Sequence, residues 1–439
     1  MRDSFALRGA LWIVVYLLAV LAPLFALLFG QHPPARNFWT EYSVAIGYAG
    51  LAMMGLQFGL TARFRFVTQP WGEDVIYHFH RQISLVAVAL VLAHPVILFA
   101  LRPERLAALN IVTASWRARY ANLSVYALVL MVVLSLWRTN FRMRYETWHA
   151  THLALAVAAI ATGLLHVIGW SFYHRSPLKS GLWLGLVGFW IALLLYTRLV
   201  RPLFLLRRPY RVVAVRPERG DSVTLSMSPD GHDGLHFSPG QFAWLSTVSP
   251  FRITGHPFSF SSSADRTDGQ VEMTIRNLGD FTATVASMPL RSRVWVDGPY
   301  GAFTMGRAAD LHVLIAGGIG ITPMMSMLRT LADRGDQRRI ILLDGNRDWE
   351  SITFREELTD LHTRLNLTVV HILVEPPADW TGDQGTLTVD IVRRHVPPPF
   401  ATHEYFICGP GPMMDAAEAT LAALGVPLAK YHSERYDFA

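Results

Sequence analysis

The segment HRQISLVAVALVLAH, residues 80–94, places two histidines at the ends of an apolar run in which only Arg81 is charged. A second segment, HLALAVAAIATGLLH at residues 152–166, repeats this arrangement with no charged residue between its histidines. Because an α-helix turns about 100° per residue, histidines fourteen positions apart lie within about 40° of one face, roughly 21 Å apart along the axis. Each segment therefore predicts a helix that carries two histidines on one face, at two levels.

Both segments belong to a larger pattern of stretches that lack Asp, Glu, Lys and Arg. Six such stretches occur in the first 200 residues, and each is close to the ~20 residues that cross ~30 Å of hydrocarbon. Beyond residue 200 only Leu311–Leu328 is as long, and its glycines and proline favour a strand, a turn and a helix. We predict six membrane helices followed by a soluble half. The six stretches are Gly9–Ala35, Tyr42–Ala62, Gln82–Leu101, Tyr120–Trp137, Thr147–His174 and Ser180–Thr197.

The charge of the chain fits this prediction. Of its 439 residues 51% are apolar and 16% are charged, against about 25% charged in soluble domains. The net charge of +6 is also typical of nucleic-acid binding, but the positive-inside bias of membrane proteins explains it. With the N-terminus inside, more basic residues flank the inner ends of the spans than the outer ends. We therefore expect a multi-pass protein of the plasma membrane, its N-terminus and soluble half cytoplasmic, with no nucleic-acid partner.

The cysteine content narrows the chemistry. Cys408 is the single cysteine of the chain, which excludes an internal disulfide, a Cys-ligated iron–sulfur cluster, a Cys-x-x-Cys-His haem attachment and a Cys-based zinc site. Redox chemistry in this chain would have to use histidines or organic cofactors.

The paired histidines provide such a site. The third and fifth spans run in the same direction, so His80 lies level with His152 and His94 with His166. Two imidazoles that face each other supply the two axial ligands of a haem, and helix bundles hold such groups in their cores. Zinc or copper is the alternative, although no carboxylate or thiol joins the histidines. A proton relay in a transporter is another, but it leaves the soluble half unexplained. The pattern favours two bis-histidine haems.

The soluble half divides into two kinds of pattern. Short alternating strands separated by Gly and Pro predict a small antiparallel barrel over Pro209–Met305. From Asp310 onward, apolar strands alternate with helices, which predicts a parallel doubly wound sheet. Four motifs within this half are candidates for ligand binding: HPFSFSS at 256–262, NLGDFTATV at 277–285, LIAGGIGITPMM at 314–325 and FICGPGPMM at 406–414. We expect HPFSFSS to lie between barrel strands.

Each motif has a chemical and a purely structural interpretation. Serines of the first motif would let a flat aromatic ring approach, and the second would hold a pyrophosphate on amides and Thr282. The glycine turn of the third lets a phosphate approach the backbone, although it lacks the G-x-G-x-x-G spacing. Arg347 follows the next strand and is placed for a ribose 2′-phosphate. The structural alternatives are a Ser-rich turn, a tight strand–helix turn, a solvated arginine and, for Cys408, a small buried apolar side chain.

Taken together, these residues resemble the ferric reductase/NADPH oxidase superfamily in its compact bacterial form, over nearly the whole chain. The resemblance implies a multi-domain membrane protein: a six-helix transmembrane di-haem domain (1–200), then a ferredoxin–NADP reductase-like module. That module would comprise an FAD-binding antiparallel β-barrel (208–306) and an α/β domain that binds NAD(P)H (307–439). Its cofactors would be FAD, two haem b groups and NADPH or NADH.

The resemblance also implies roles for individual residues. The haem ligands would be His80, His94, His152 and His166. The motif HPFSFSS is similar to the flavin motif HPFTxxS, GDFT to a segment that holds the FAD phosphates, AGGIGITP to the nicotinamide turn, and CGPGPM to a second coenzyme motif. The C-terminal SERYDFA resembles the terminus whose aromatic residue covers the flavin, here Phe438 or Tyr436. Catalytic roles are implied for Phe438, Cys408 and Glu434. The residues implied in cofactor binding are His256, Pro257, Phe258, Ser259, Ser262, Arg276, Gly279, Thr282, Gly317, Gly318, Gly320, Thr322, Pro323, Arg347, Cys408, Gly409, Pro410 and Phe438.

One position departs from the superfamily pattern. Superoxide-producing oxidases carry a further histidine one turn after the outer haem ligand of the third span, where this chain has Leu98. The resemblance implies electron transfer from cytosolic NAD(P)H through FAD and two haems to an outer acceptor, with oxygen expected and a ferric chelate as the alternative. A haem subunit that feeds a partner protein is a further alternative, whereas the complete motif set predicts that no protein partner is required.

Overall fold

The computed structural model describes residues 2–29, 36–68, 71–170, 173, 176–252, 255–305, 309 and 311–435. The chain divides into two compact units. One comprises Met1–Pro70 and Val75–Pro202, and the other comprises Trp71–Asp74 and Leu203–Ala439. We call them the membrane half and the reductase half and describe each by itself. The three predicted domain boundaries are not tested by this division and stay predictions.

The membrane half is helical. Within the described ranges, six helices are long and apolar enough to cross a membrane, which confirms the six predicted spans. Side-chain caps fix several helix starts: Asn37 accepts a hydrogen bond from the Thr40 amide, and Ser176 accepts one from the Lys179 amide. The helices are α1 (Arg2–Leu27), α2 (Phe38–Leu60), the short α3 (Arg65–Thr68), α4 (Glu73–Leu101), α5 (Trp116–Leu136), α6 (Tyr145–Gly169), α7 (Pro177–Leu195) and α8 (Arg201–Leu206), with a π-helical turn (Tyr196–Val200) before α8.

Helix α2 lies at the centre of this half, and glycines let its neighbours approach closely. A Cβ on Gly50 would lie 2.8 Å from Val91 Cγ2 of α4, and one on Gly55 would lie 2.1 Å from the Trp190 ring of α7. Between α5 and α6, the Ser124 hydroxyl donates to the Ala159 carbonyl over 2.7 Å. Many large apolar side chains of these helices are exposed, as expected for surfaces that face lipid.

The first part of the reductase half is a closed antiparallel barrel. Its sheet has the order β4-β3-β6-β1-β2-β5. The edge strands meet where Phe260 bridges Met273 and the Ser261 amide donates to the Glu272 carbonyl, which closes the barrel. The interior is apolar, and Leu225 and Met273 are fully buried. Its elements are β1 (Tyr210–Glu218), β2 (Ser222–Pro229), β3 (Phe242–Ser246), β4 (His256–Ser259), β5 (Val271–Arg276), helix α9 (Asp280–Val285) and β6 (Arg293–Tyr300).

The second part is a six-stranded parallel sheet with the order β10-β9-β8-β7-β11-β12. Apolar cores cover both faces of the sheet, which confirms the predicted doubly wound fold. The chain winds outward from β7 to β10 and then returns to the other side of β7 with β11, so the strand order reverses between β7 and β11. The elements are β7 (Leu311–Gly317), α10 (Ile321–Asp333), β8 (Arg339–Asn346), α11 (Arg355–Arg364), β9 (Leu367–Leu373), β10 (Asp383–Gln384), α12 (Val389–His395), β11 (Glu404–Cys408), α13 (Gly411–Ala423) and β12 (Tyr431–Glu434).

One local prediction was wrong. We placed HPFSFSS between barrel strands, but its first four residues form β4, which pairs with β3 from His256↔Leu245 to Ser259↔Phe242. Pro257 does not break this edge strand, because a strand at a sheet edge tolerates the missing amide proton of a proline.

Candidate functional site

The four predicted haem ligands meet as two pairs within the membrane half. The rings of His80 on α4 and His152 on α6 lie 6.4 Å apart, centroid to centroid, at an interplanar angle of 70°. His94 on α4 and His166 on α6 are also neighbours. Among the described residues, no group of three or more His, Cys, Asp or Glu side chains is arranged to hold a metal ion, so the histidines meet only in twos.

In the His80/His152 pair, Nδ1 of each ring is hydrogen-bonded to a side chain, and a second hydrogen bond fixes the orientation of that side chain. Gln57 donates its amide nitrogen to the Met53 carbonyl, so its Oε1 faces His80 Nδ1 at 2.8 Å as an acceptor. Ser135 donates its hydroxyl to the Met131 carbonyl, so its oxygen accepts from His152 Nδ1 at 3.1 Å. Both Nδ1 atoms must therefore carry the proton, and both Nε2 atoms carry the lone pair that binds a metal.

The His94/His166 pair has the same tautomer for a different reason. His94 Nδ1 lies 2.9 Å from the Ser43 carbonyl, and His166 Nδ1 lies 3.0 Å from the Arg117 carbonyl. A carbonyl oxygen can only accept, so both Nδ1 atoms are donors. Metal-binding histidines commonly donate their other ring N–H to such an acceptor, which orients the ring. In all four histidines, Nε2 is thus the nitrogen whose lone pair is available to a metal.

Sequence reasoning missed the residues that support these histidines. Gln57 and Ser135 are among the few polar residues in the second halves of α2 and α5, and that signal was available. Gly47 was not recognisable as functional: a Cβ there would lie 3.2 Å from His94 Cγ, so the glycine makes room for the ring. Trp148 stands one turn before His152, packs 5.5 Å from its ring and donates its indole N–H to Ser135.

The predicted FAD motif is used largely to build the barrel. His256 stacks on Phe281 with ring centroids 3.8 Å apart, and Phe258 lies 6.0 Å from the same ring. The buried Ser262 hydroxyl accepts from the Glu272 amide, and Ser259 is buried on β4 beside Phe242. Pro257 pairs with Trp244 on β3.

The GDFT segment forms the predicted turn at the start of a helix. Thr282 Oγ1 accepts from the amides of Leu278 and Gly279 and donates to the Gly279 carbonyl, so its hydroxyl closes its own turn. Gly279 has open space around its Cα. Arg276, at the end of β5, reaches within 3.2 Å of the position of a Cβ on Gly318, which brings the barrel's arginine to the glycine turn of the sheet.

That glycine turn borders a cavity of about 270 Å³ at the carboxyl ends of the parallel strands, where the strand order reverses. Ligands of doubly wound sheets bind at this position. Of the predicted residues, the cavity lining includes Arg276, Gly317, Gly318, Arg347 and Pro410.

The remaining predicted residues of this turn hold the fold together. A Cβ on Gly320 would lie 2.2 Å from the Cys408 carbonyl oxygen, and one on Gly409 would lie 3.1 Å from the Gly317 backbone. These two glycines therefore let the turns after β7 and β11 touch. Thr322 is buried and donates to the carbonyls of Ile319 and Thr274, and Pro323 is buried in α10.

The three residues predicted to be catalytic differ in position. Cys408 is fully buried in the core on one face of the sheet and does not line the cavity. Glu434 ends β12 opposite Cys408 and is buried. Burial raises the pKa of Glu434 well above its usual range, and Asp74 and Glu73 of the same compact unit raise it further. Phe438, like Tyr436, lies outside the described residues.

Three family descriptions match successive parts of the chain. Residues 46–163 match the "Ferric reductase like transmembrane component", residues 207–304 match the "FAD-binding domain", and residues 314–419 match the "Oxidoreductase NAD-binding domain". The first range contains all four histidines, and the third contains most of the cavity lining.

Curated relatives match about half of the chain. The reductase component of propane 2-monooxygenase from Rhodococcus jostii is 31% identical over 227 residues, 49% of this chain and 60% of that protein. The ferredoxin reductase component of 3-ketosteroid-9-alpha-monooxygenase from Mycolicibacterium smegmatis is 33% identical over 234 residues, 51% of this chain and 64% of that protein. The chain thus spans about three fifths of the length of these two relatives.

Among solved structures, the flavohemoglobin from Malassezia yamatoensis, with bound FAD and heme, superposes with a TM-score of 0.50 at 17% identity. The match covers 91% of this chain and 99% of that chain, and it shows similarity of fold alone. The order of the matched domains is the more informative result. This chain has the ferric reductase/NADPH oxidase-like architecture, in which a ferric reductase-like transmembrane component precedes the FAD-binding and NAD-binding domains of an oxidoreductase.

Proposed function

We propose that this protein is a transmembrane NAD(P)H oxidoreductase that holds one FAD and two haem b groups and reduces an acceptor on the outer side of the membrane. The reductase half would take NAD(P)H on the cytoplasmic side, in the orientation that the positive-inside bias favours. Oxygen is the first acceptor to test, and a ferric chelate is the second.

The observation that carries this proposal is the hydrogen bonding of the four histidines. Each donates Nδ1–H to a fixed acceptor and keeps Nε2 for a metal. Four histidines with the same tautomer, at two levels of the bundle, are what two bis-histidine sites would require. When bound, haem iron supplies a one-electron carrier at each level, and FAD exchanges the two electrons of a hydride for single electrons.

The residues of the reductase half perform binding and positioning. The cavity beside the glycine turn accepts the coenzyme, with Arg276 near Gly318 as the cation for its phosphates. The stacked pair of His256 and Phe281 presents an aromatic surface on the barrel for a flavin ring. Glu434 is buried near the end of β12, and burial together with the charges of Asp74 and Glu73 raises its pKa, so it binds a proton more readily than an exposed glutamate does.

The histidine assignment can be tested by substituting leucine for each of His80, His94, His152 and His166 in turn. We expect each variant to lose one of two haems, because removal of one axial ligand leaves the partner histidine alone. Haem content per chain and the absorption spectrum of the reduced protein are the measurements. Normal haem content in all four variants would refute the proposal.

The acceptor can be identified by a separate assay. Steady-state NAD(P)H oxidation by the purified chain would be followed with and without superoxide dismutase and with and without a ferric chelate. Oxygen as acceptor predicts superoxide that the dismutase removes. Ferric reduction, which the matched "Ferric reductase like transmembrane component" and the leucine at position 98 favour, predicts turnover that requires the chelate.

The same preparation tests whether a partner protein is needed. Turnover by the purified chain alone supports an independent enzyme. Turnover that appears only after a membrane extract is added would instead indicate a haem subunit that serves another protein.

A further inference from the structure

The carboxyl end of strand β8 forms one side of the coenzyme cavity. Asn346 and Arg347 line the cavity, and Asp348 follows directly. In doubly wound sheets, the strand after the glycine turn meets the adenosine ribose of a dinucleotide at this end. The groups that these three residues present therefore determine whether a free 2′-hydroxyl (NADH) or a 2′-phosphate (NADPH) fits.

Asn346 presents a hydrogen-bond acceptor. Its Nδ2 donates to Asp344 Oδ2 over 2.8 Å, and the carboxylate cannot donate in return. Asp344 is 1% exposed, and its Oδ2 also lies 3.1 Å from His371 Nδ1. The amide is thus fixed, and Oδ1 remains together with the second N–H of Nδ2. An acceptor oxygen suits a ribose hydroxyl, which can donate, and opposes a phosphate, which offers acceptor oxygens.

Arg347 is flanked by negative charge. Its Nε lies 3.2 Å from Asp348 Oδ2 and 3.6 Å from Glu375 Oε2. Asp348 cannot turn away freely, because its other oxygen caps the next turn by accepting from the Ser351 amide. The Glu375 backbone is tied to Arg347 by an N–H···O bond of 2.7 Å. The group carries two carboxylates for one guanidinium, so a phosphate placed there would meet net negative charge.

We propose that the coenzyme of this protein is NADH rather than NADPH, selected by the fixed Asn346 acceptor and by the two carboxylates beside Arg347. This inference rests on the proposed function, since it names the coenzyme of the same site. It also reverses the prediction that Arg347 binds a 2′-phosphate.

The first test compares the two coenzymes on the full-length chain. We expect kcat/KM for NADH to exceed that for NADPH by about tenfold or more. Binding of NAD⁺ and NADP⁺ by calorimetry gives the same comparison without turnover. A ratio near one, or a preference for the phosphorylated coenzyme, overturns the inference.

The second test removes the two carboxylates. In the Asp348→Ser/Glu375→Gln variant, serine keeps a side-chain cap while both negative charges are lost. We expect the ratio of kcat/KM for NADPH to kcat/KM for NADH to rise about tenfold. The matched control is Glu350→Gln, an exposed carboxylate of the same turn that bonds Arg219 and Arg355, and it should leave the coenzyme ratio unchanged.

The Arg347→Ala variant distinguishes selection of NADH from the alternative that Arg347 binds the 2′-phosphate of NADPH. Because two carboxylates already neutralise Arg347, we expect the ratio of kcat/KM for NADH to kcat/KM for NADPH to change by less than about threefold. A tenfold loss for NADPH alone would show that Arg347 binds a 2′-phosphate and would overturn the inference. If the chain oxidises neither coenzyme, the proposed function fails. In that case tighter binding of NAD⁺ than of NADP⁺ would still support the selection of NADH, and tighter binding of NADP⁺ would refute it.

Discussion

The membrane half and the reductase half use their motif residues in opposite ways. In the membrane half, each of the four histidines is hydrogen-bonded through Nδ1, and we propose that Nε2 binds a ligand. In the reductase half, many motif side chains use their polar atoms for hydrogen bonds within the fold. The Ser262 hydroxyl accepts from the Glu272 amide, and the Thr322 hydroxyl donates to the Ile319 and Thr274 carbonyls.

The difference follows from how each half surrounds its ligand. A helix bundle places side chains between its helices, so an axial ligand must come from a side chain. A barrel joined to a doubly wound sheet presents backbone amides and glycines at strand ends, and its motif side chains keep those ends in register. Arg329 illustrates this joining role: from α10 it bonds the Ser261 carbonyl and the carboxylates of Glu272 and Glu357.

Substitution of Arg329 should have the largest effect on the scaffold. Arg329→Met leaves the buried Glu272 carboxylate with fewer partners, and we expect a loss of about 3 kcal/mol in the free energy of unfolding of the reductase half. Denaturant unfolding measures it. The matched control is Arg334→Met, which breaks an exposed pair with Asp265 and should cost less than about 1 kcal/mol. Equal losses in the two variants would contradict a joining role for Arg329.

Ser135→Ala should instead act on ligand binding. It leaves His152 Nδ1 without its acceptor, and loss of such support typically weakens metal binding by about 10- to 100-fold. Haem retained per chain during gel filtration is the measurement. Ser124→Ala removes a buried hydroxyl from the same helix that touches no histidine, and it should retain both haems. Identical haem loss in both variants would break the comparison between the halves.

A smaller effect is expected for Ser262→Ala. The Glu272 amide would lose its acceptor, which costs about 1 kcal/mol of unfolding free energy. The dissociation constant for FAD should be measured on the same variant. If stability falls while the FAD dissociation constant stays within about twofold of the wild-type value, Ser262 has a scaffold role. A large loss of FAD affinity would show that Ser262 also contributes to ligand binding.

The pH dependence of the stability should reveal the raised pKa of Glu434. Its pKa is raised in the folded protein, so the folded state binds the proton more tightly than the unfolded state. This group therefore makes stability fall as pH rises above about 4.3, the usual glutamate value, toward the raised pKa. Glu434→Gln should remove that part of the slope in thermal melts between pH 5 and pH 8. An unchanged slope would show that Glu434 is ionised when folded.

Features that depend on neighbouring residues along the chain could be predicted from the sequence, and features that depend on distant residues could not. The six spans, the shared face of His80 and His94, and the strand–helix alternation after Asp310 are properties of contiguous sequence, and the structure confirms the fold that they predicted. The strand β4 was missed because the serines and proline of HPFSFSS are typical of turns, while pairing with β3 decides their conformation.

The sequence by itself determined the six membrane spans, the histidine spacing and the two-part reductase half, because hydrophobicity and periodicity act through neighbours along the chain. Only the tertiary structure decided which atoms support each function. Gln57 reaches His80 from another helix, and the Ser43 and Arg117 carbonyls fix the second pair. Such contacts depend on distance in space and on donor–acceptor geometry, which spacing along the chain does not encode.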